Sequence, residues 1–297
     1  MAATVSTDWN FAPKVWQDHI MAYFRQKLVW GSVALVDDTL KNSPGETVNF
    51  PYYNAIGAAE EPLETASLTV DNLSDDSFSA TVKEVGKAVG AKDKALIVSA
   101  DRREGIFAEA QRQIGRVIAE KVDLDLRTEA QAPGNFHQGY LATTAAEVCT
   151  IKRINQQKIT SFGDKHDEAV VVFMHSLHLL SLLNDSDAGF MKADANDPMY
   201  NVPGFQGRLL GMAVITVDTV GNNGGVQIGS KDAYEVTICK PNAYGIIMKN
   251  DLNPEQDRDI LAREWVWTGT MWYGVKAFHA KISPEDRKIS KGIYTTL

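Results

Sequence analysis

The sequence predicts an α+β fold, in which helices and strands occupy separate stretches of the 297-residue chain. Residues 103–127 carry a helical repeat of apolar side chains. Residues 47–53 and 78–82 read as strands, and the segment 257–278 is rich in aromatic and β-branched residues, which favour long strands. A chain of this length is expected to form one or two domains.

The first predicted element is an amphipathic helix over residues 14–30. Pro13 precedes it, and an apolar side chain recurs every four residues at Trp16, Ile20, Phe24 and Leu28. Two interpretations stay open. The helix packs on its own core, or it forms an arm that packs on a neighbouring subunit.

The next segment, residues 41–84, reads as a β-arm. Thr47–Tyr53 is predicted as an edge strand because Pro51 cannot donate to a sheet ladder. Ser67–Val70 and Phe78–Val82 alternate with period two, with a turn at 72–76 between them. Two or three strands with so few large apolar residues are marginal in water. We therefore expect this arm to lie on another surface.

The charge changes sign between this arm and the segment that follows it. Asn54–Glu84 contains seven acids and one base, net −6, whereas Gly86–Arg116 contains seven bases and four acids, net +3. These segments are either two solvated faces, or an arm of one copy that reaches across the next copy.

The strongest helix prediction covers Arg103–Arg127. Its apolar stripe consists of Phe107, Ala110, Ile114, Val117 and Ile118. Asp101 is a candidate N-cap with Glu104 three residues later, and Pro133-Gly134 ends the segment. A helix of this length spans about 36 Å. Such a helix suits a subunit built along a spine.

A second α/β region follows. The predictions, in chain order, are a helix at 144–162 with core positions Ala146, Cys149, Ile154 and Ile159; a buried strand at 168–174; a helix at 176–184; a loop at 185–203; strands at 210–220 and 233–239 joined by a Gly-rich stretch at 221–231; and a strand at 244–248.

Composition excludes several classes of function. The formal charge is −8 and no basic run exceeds Arg102-Arg103, so a surface that grips nucleic acid through phosphates is not indicated. The longest apolar run, Ala169–Met174, is far shorter than the roughly 20 residues that span a membrane. No secretory signal is recognised. Cys149 and Cys239 could form a disulfide, but two buried thiols in a reducing compartment are the preferred interpretation.

No motif predicts a catalytic, cofactor or metal site. Residues 224–231 miss the phosphate-binding pattern because Ser230 and Lys231 are swapped, so we interpret them as a hairpin or apical loop. His175 and His178 are three apart on a predicted helix, without a convincing third metal ligand. Asp123 and Asp125 are two apart on a helix and should point to different faces.

The order of these features resembles the major capsid proteins of tailed bacteriophages with the HK97 fold. The similarity covers nearly the whole chain, and the arrangement is more specific than any single motif. The stretches that carry it are 45–51 (GETVNFP), 83–88 followed by Asp101, 162–164 (FGD) followed by 171–176 (VVFMHS), and Arg258-Asp259 with 273–276 (YGVK).

The resemblance implies a division of the chain into four parts. These are an N-terminal arm at 1–40; an extended loop at 41–99 that lies over the adjacent subunit; a peripheral domain at 100–135 and 256–297 with the spine helix; and an axial domain at 136–255 whose loops at 185–203 and 221–231 surround a five- or six-fold axis.

It also implies a structural function and no enzymatic activity. Copies would assemble as pentamers and hexamers into an icosahedral shell that encloses double-stranded DNA, in a virion assembled in the host cytoplasm, without cofactor or membrane. The chain starts almost on the arm, so we expect a separate scaffolding protein, and a portal. The candidate inter-subunit contacts are Trp16, Glu60, Glu61, Glu64, Arg102 and Arg103.

Two alternatives remain at this point. One is an encapsulin-type compartment shell of the same fold, which would enclose an enzyme. The other is a soluble α/β enzyme that uses the region of His175.

Overall fold

A computed structural model gives the fold of the chain. It describes residues 28–41, 43–54, 56, 59, 61, 70–98, 103–185, 190–217, 227–278 and 287–296. The predicted helix at 14–30 lies outside this part of the chain except for its last three residues, as do the candidate cap Asp101 and most of the predicted strand at 67–70.

The described helices are α1 (Asp93–Val98), α2 (Arg103–Ala130), α3 (Ile151–Phe162) and α4 (Ser176–Leu183). Short 3-10 turns occur at Trp30–Ser32 and Gly163–Glu168. The strands are β1 (Leu35–Asp37), β2 (Thr47–Tyr53), β3 (Asp75–Thr81), β4 (Lys83–Lys92), β5 (His137–Leu141), β6 (Val171–Met174), β7 (Phe190–Lys192), β8 (Phe205–Leu209), β9 (Met212–Thr216), β10 (Gln227–Ile228), β11 (Lys231–Cys239), β12 (Tyr244–Asp259), β13 (Glu264–Ala277) and β14 (Ile289–Thr295).

The long helix α2 packs on a four-stranded sheet of order β1-β12-β13-β4. Its 28 residues span about 42 Å, three residues more than predicted at the C-terminal end. The buried stripe repeats every four residues at Ala110, Ile114, Ile118, Val122 and Leu126. Val117, which was predicted to lie in this stripe, is 42% exposed because the sheet contacts a narrower face.

Asp123 and Asp125 of α2 point to different partners, as predicted. Asp123 Oδ2 accepts a hydrogen bond from the Val29 amide at 2.7 Å. Asp125 accepts one from Tyr273 Oη at 2.6 Å and pairs with Lys83 and Lys121. Burial raises the pKa of Asp123 to about 6, against the opposing effect of its backbone donors.

The larger sheet has the order β5-β14-β11-β6-β9-β8-β7, with β10 paired to β11. Its central strands are buried on both faces, which explains the unbroken apolar run in β6. Val171 and Phe173 face the same core as α2, whereas Val172 and Met174 face a second core that includes residues of α3 and α4. Cys239 lies in the first core and Cys149 in the second, and both thiols are free, as preferred from the sequence.

Trp30 lies where the two sheets meet. Its ring is fully buried and stacks on Phe173 of β6 with centroids 4.1 Å apart. Tyr244 Oη of β12 donates to the Trp30 carbonyl oxygen at 2.8 Å. One continuous apolar core therefore joins both sheets and α2 around this side chain.

Several sequence predictions in the second region need correction. The helix predicted from residue 144 begins at Ile151, where Thr150 is the N-cap and its side chain accepts from the Arg153 amide. Ala146 and Ile159, predicted as core positions, are exposed. The predicted loop 185–203 contains β7, and the strand β8 was missed.

The predicted domain boundary between residues 255 and 256 does not separate the strands of the two sheets. That boundary falls inside β12, which pairs along its length with β13 beside the spine helix. At the other end, β14 pairs with β11 and β5 in the larger sheet, although residues 256–297 were assigned together to the peripheral domain.

Candidate inter-subunit surface

The predicted β-arm is a hairpin of β2 and β3. The two strands pair in antiparallel register from Thr47 opposite Thr81 to Tyr53 opposite Asp75. The strand predicted at 47–53 is therefore confirmed. Its partner is β3, whereas the sequence suggested a turn that joins 78–82 to 67–70. Of that earlier segment, only Val70 is described, and it is not in a strand.

The root of the hairpin has an apolar footing in its own molecule. Ala80 and Val82 are buried beside Ile247 of β12. The Phe50 ring packs edge-on against Phe278, with centroids 4.9 Å apart, and Phe78 lies 6.3 Å from the same ring. The expectation that the whole arm needs an outside support is thus wrong for its root.

Polar contacts hold the same root to β12. Lys41 pairs with Asp251 at 3.0 Å and with Asp38 at 3.0 Å. Hydrogen bonds to these two carboxylates raise the pKa of Lys41 above its ordinary value. Lys249 Nζ donates to the Gly45 carbonyl oxygen. The base of the hairpin is therefore held to β12.

Beyond the root, several large apolar side chains are exposed to solvent. Tyr53, Ile56, Val70 and Leu73 are 73%, 66%, 86% and 66% exposed. These residues flank the stretch around Glu61, which is itself exposed. Clustered exposed apolar residues mark protein–protein contacts. This part of the chain is the first candidate inter-subunit surface.

A second exposed apolar group lies at the far end of the four-stranded sheet. Ile260 and Leu261, in the turn between β12 and β13, are 76% and 96% exposed, and Ile97 of α1 is 82% exposed. The Arg258–Asp93 ion pair at 2.8 Å ties α1 to this turn. Ile260 and Leu261 fall inside the segment 257–278 that was predicted to form long strands, and the turn that exposes them was not predicted.

The structure places only two of the six predicted contact residues. Glu61 is exposed, and Arg103 is the first residue of α2. Trp16, Glu60, Glu64 and Arg102 lie outside the described residues. The role of all six in subunit contacts stays a prediction.

His175, the N-cap residue of α4, and His178 within that helix are part of an aromatic cluster. The His175 ring stacks on Tyr234 at 4.1 Å, and His178 is fully buried with Nε2 3.3 Å from the Tyr234 carbonyl oxygen. Burial lowers the pKa of His178 to about 4. Within the described ranges, no three His, Cys, Asp or Glu side chains converge as metal ligands.

The Gly-rich stretch 221–231 is described from residue 227 onward. Gly229 and Ser230 form the turn between β10 and β11, so the described part of this stretch is a hairpin, in agreement with the interpretation from sequence. None of the described helices combines the length and apolar character needed to cross a membrane.

Comparison with known proteins gives one full-length sequence match of interest. The major capsid protein of Staphylococcus phage phiMR11 is 26% identical over 288 residues, which cover 96% of this chain and 95% of that protein. No protein-family model matches the sequence.

Solved structures show the fold. The capsid of cyanophage Pam1 superposes with a TM-score of 0.66 at 16% identity, covering 100% of this chain and 98% of that one. The capsid of Ralstonia phage GP4 gives a TM-score of 0.67 at 11% identity, covering 91% and 92%. The HK97-like α+β fold is thereby confirmed, and so is the resemblance to tailed-phage major capsid proteins.

Proposed function

We propose that this chain is a bacteriophage major capsid protein, copies of which tile into the shell of the virion. The observation that carries this proposal is the match to a phage major capsid protein along almost the entire length of both chains. The fold, shared with phage capsids over 91–100% of the chain, agrees with it.

The exposed surfaces suit a subunit of a closed assembly. Among the described residues, one exposed apolar group lies beyond the hairpin root and another lies at the β12–β13 turn. Different surfaces on one chain can contact each other head to tail and close a ring. Permanent assemblies bury several thousand Å² per subunit, and replicated contacts add to the stability of the closed shell.

We assign the parts of the subunit from its sheets. The peripheral domain would comprise α2 with the four-stranded sheet, and the axial domain the larger sheet with α3 and α4. The β2–β3 hairpin would be the extended loop, and the residues before β1 the N-terminal arm. This assignment moves β14 to the axial domain and the whole of β12 to the peripheral domain.

The finer features of the function remain proposals. The shell would be built from pentamers and hexamers and would enclose double-stranded DNA, with assembly in the host cytoplasm aided by a scaffolding protein and a portal. A formal charge of −8 suits a container that does not bind DNA tightly. The role is structural, and we propose no catalytic activity.

Electron microscopy of the chain produced in bacteria, after gel filtration, tests the function. We expect megadalton particles with icosahedral symmetry, formed by the chain alone or together with its scaffolding protein. A monomer or small oligomer under both conditions would contradict the proposal and favour the enzyme alternative. Small, uniform particles filled with protein would favour the compartment alternative.

A charge-reversal variant tests the predicted acidic contacts. We expect Glu60→Lys, Glu61→Lys and Glu64→Lys together to impair shell assembly while circular dichroism shows a folded subunit. Normal shells from this variant would show that the charge at these three positions has no role in assembly.

A further inference from the structure

The first described residues, 28–33, form a short turn that lies against the rest of the molecule, and we call them the anchor turn. The 3-10 turn spans Trp30–Ser32, and the Ser32 amide donates to the Val29 carbonyl oxygen at 3.2 Å. Leu28 and Val29 pack on the core that surrounds Trp30. The proposed N-terminal arm is therefore joined to the subunit through this turn.

One carboxylate of α2 caps the anchor turn. The first amides of a helical turn have no partner within the turn. Here the Val29 amide donates to Asp123 Oδ2 at 2.7 Å. The amides of Val29, Gly31 and Trp30 all act to lower the pKa of this carboxyl, because they favour its charged form. Asp123 thus acts on the anchor turn as an N-cap residue does, although it lies 94 positions away from Val29 in the chain.

The Asp123 carboxylate has no opposite charge to balance it among the described residues. Its Oδ1 atom is buried without a hydrogen-bond partner, and no cationic side chain contributes to its pKa. One turn away along α2, Glu120 accepts from Arg116 at 2.6 Å and Arg127 donates to Gln131 at 3.0 Å. Burial therefore outweighs the backbone donors and raises the pKa of Asp123 to about 6.

Asp125, two residues further along the same helix, has the partners that Asp123 lacks. It accepts from Tyr273 Oη at 2.6 Å and pairs with Lys83 at 2.7 Å and Lys121 at 2.8 Å. Burial acts against its charge, but these three donors outweigh burial and lower the pKa of Asp125. The two carboxyl groups differ because only one of them is paired with cations.

The other titratable groups at this contact keep their charge near neutral pH. Burial raises the pKa of Tyr244 on β12 well above its ordinary value, and Cys239 and Asp123 add to this shift. Burial also raises the pKa of the Cys239 thiol. The anchor turn itself contains no titratable side chain. Among the described groups at this contact, Asp123 is therefore the one that changes charge between pH 5 and pH 7.5.

From this geometry we propose that Asp123 makes the attachment of the anchor turn to α2 sensitive to pH, firmer when the carboxyl is protonated and weaker when it is ionised. The neutral carboxyl can still accept the Val29 amide through its carbonyl oxygen. It no longer places an unpaired charge in a site that excludes water. The inference goes beyond the proposed function, because it concerns the single subunit and does not require a shell.

The sign and size of the effect follow from the two pKa values. The pKa of Asp123 is about 6 in the fold and 3.8 when the carboxyl is exposed, so its protonation favours the attached turn. The attachment is strengthened as pH falls through 6 and weakened as pH rises through 6. Linkage gives about a tenfold change in the opening equilibrium between pH 7.5 and pH 5.

Hydrogen exchange of the Val29, Trp30 and Gly31 amides in unassembled full-length subunits tests this inference. The variant Asp123→Asn keeps an acceptor oxygen and removes the charge. We expect the ratio of protection in wild type to protection in this variant to rise about tenfold from pH 7.5 to pH 5, after correction for intrinsic exchange. Dividing by the variant cancels the effect of His178, which titrates in both chains. An equal ratio at the two pH values would overturn the inference.

The matched control is Asp125→Asn, on the same helix. Asp125 stays ionised between pH 5 and pH 7.5 because its pKa is lowered. The ratio of wild type to this variant should therefore be the same at both pH values. A tenfold rise with this control as well would assign the effect to α2 in general and overturn the role of Asp123.

A second measurement needs no variant and decides the matter even where Asp123→Asn does not fold. The Val29 amide is hydrogen-bonded to the carboxyl, so its proton resonance should move with pH as Asp123 titrates. We expect a midpoint near pH 6 in the wild-type subunit. A midpoint below pH 4.5, or a resonance that does not move, would contradict the inference. Neither result bears on whether the chain forms shells, so the proposed function is tested separately.

Discussion

At the scale of single residues, the buried polar cluster around Gln157 depends on glycine. Gln157 Nε2 donates to Ser290 Oγ at 3.1 Å, and Tyr294 Oη donates to Gln157 Oε1 at 2.6 Å. A Cβ at Gly139 would lie 2.6 Å from Gln157 Cγ and 2.6 Å from Ser161 Oγ. The close approach of β5 to α3 therefore requires the absence of a side chain at this position.

We predict that Gly139→Ala destabilises the subunit by about 1–3 kcal/mol, because buried backbone and side chains must shift to admit the methyl group. Urea unfolding of the unassembled subunit measures this change. Gly90→Ala is the control, since its nearest neighbour would lie at 3.8 Å. Equal stability of the two variants would show that the packing around Gln157 adapts without cost.

His178 should make stability depend on pH. Its pKa is about 4 in the fold and 6.5 in the unfolded chain, so the unfolded state binds the proton more readily. The contribution of neutral His178 is thus present above pH 6.5 and is lost as pH falls toward 4. The loss amounts to about 3 kcal/mol.

The variant His178→Phe should remove this dependence while its ring still packs against Tyr234 and Tyr294. The measurement is the difference in unfolding free energy between wild type and variant at pH 7 and pH 4. Taking the difference cancels Asp123, whose raised pKa acts in the opposite sense, with stability lost as pH rises through about 6. An unchanged difference between the two pH values would contradict the prediction.

At the scale of elements, the hairpin root depends on one ring. Phe278 follows β13, is 9% exposed and contacts both Phe50 of β2 and Phe78 of β3. We predict that Phe278→Ala weakens the attachment of the hairpin by about 3 kcal/mol. Hydrogen exchange should become faster in β2 and β3 and stay unchanged in β6 and β11. Uniform acceleration throughout the chain would instead indicate global destabilisation.

Elements with a strong apolar pattern could be predicted from the sequence. Strands that depend mainly on hydrogen bonding to a neighbouring strand could not. The α2 stripe and the β6 run carry their own signal. β4 was missed because Gly86, Ala88 and Gly90 lack the bulky side chains typical of strands. The far half of β12 is polar and contains Pro254, and its strand geometry depends on register with β13.

Of the candidate inter-subunit surfaces, the sequence predicted only the negative charge of the extended loop. Acidic residues of the extended loop are visible in the sequence, but the exposure of Ile260 and Leu261 follows from a turn that only the paired strands define. In the proposed shell the surface opposite the loop would belong to another copy, so a single chain shows one half of each contact.

At the scale of the whole molecule, Trp30 joins the two sheets. Its buried ring contacts β6, and its carbonyl group is held by Tyr244 of β12. We predict that Trp30→Ala costs about 3–5 kcal/mol of unfolding free energy and makes the two sheets unfold at different denaturant concentrations. Trp30→Phe keeps a ring on Phe173 and should cost clearly less. A single transition for Trp30→Ala, with the stability of wild type, would contradict this role.

The two buried cysteines can also be used to detect local opening of the subunit. Burial raises the pKa of both thiols well above the ordinary value, so each stays protonated and unreactive until its surroundings open. Cys239 samples one side of the larger sheet and Cys149 the other. Alkylation rates at these two sites would therefore report separately on the opening of each core, without any added label.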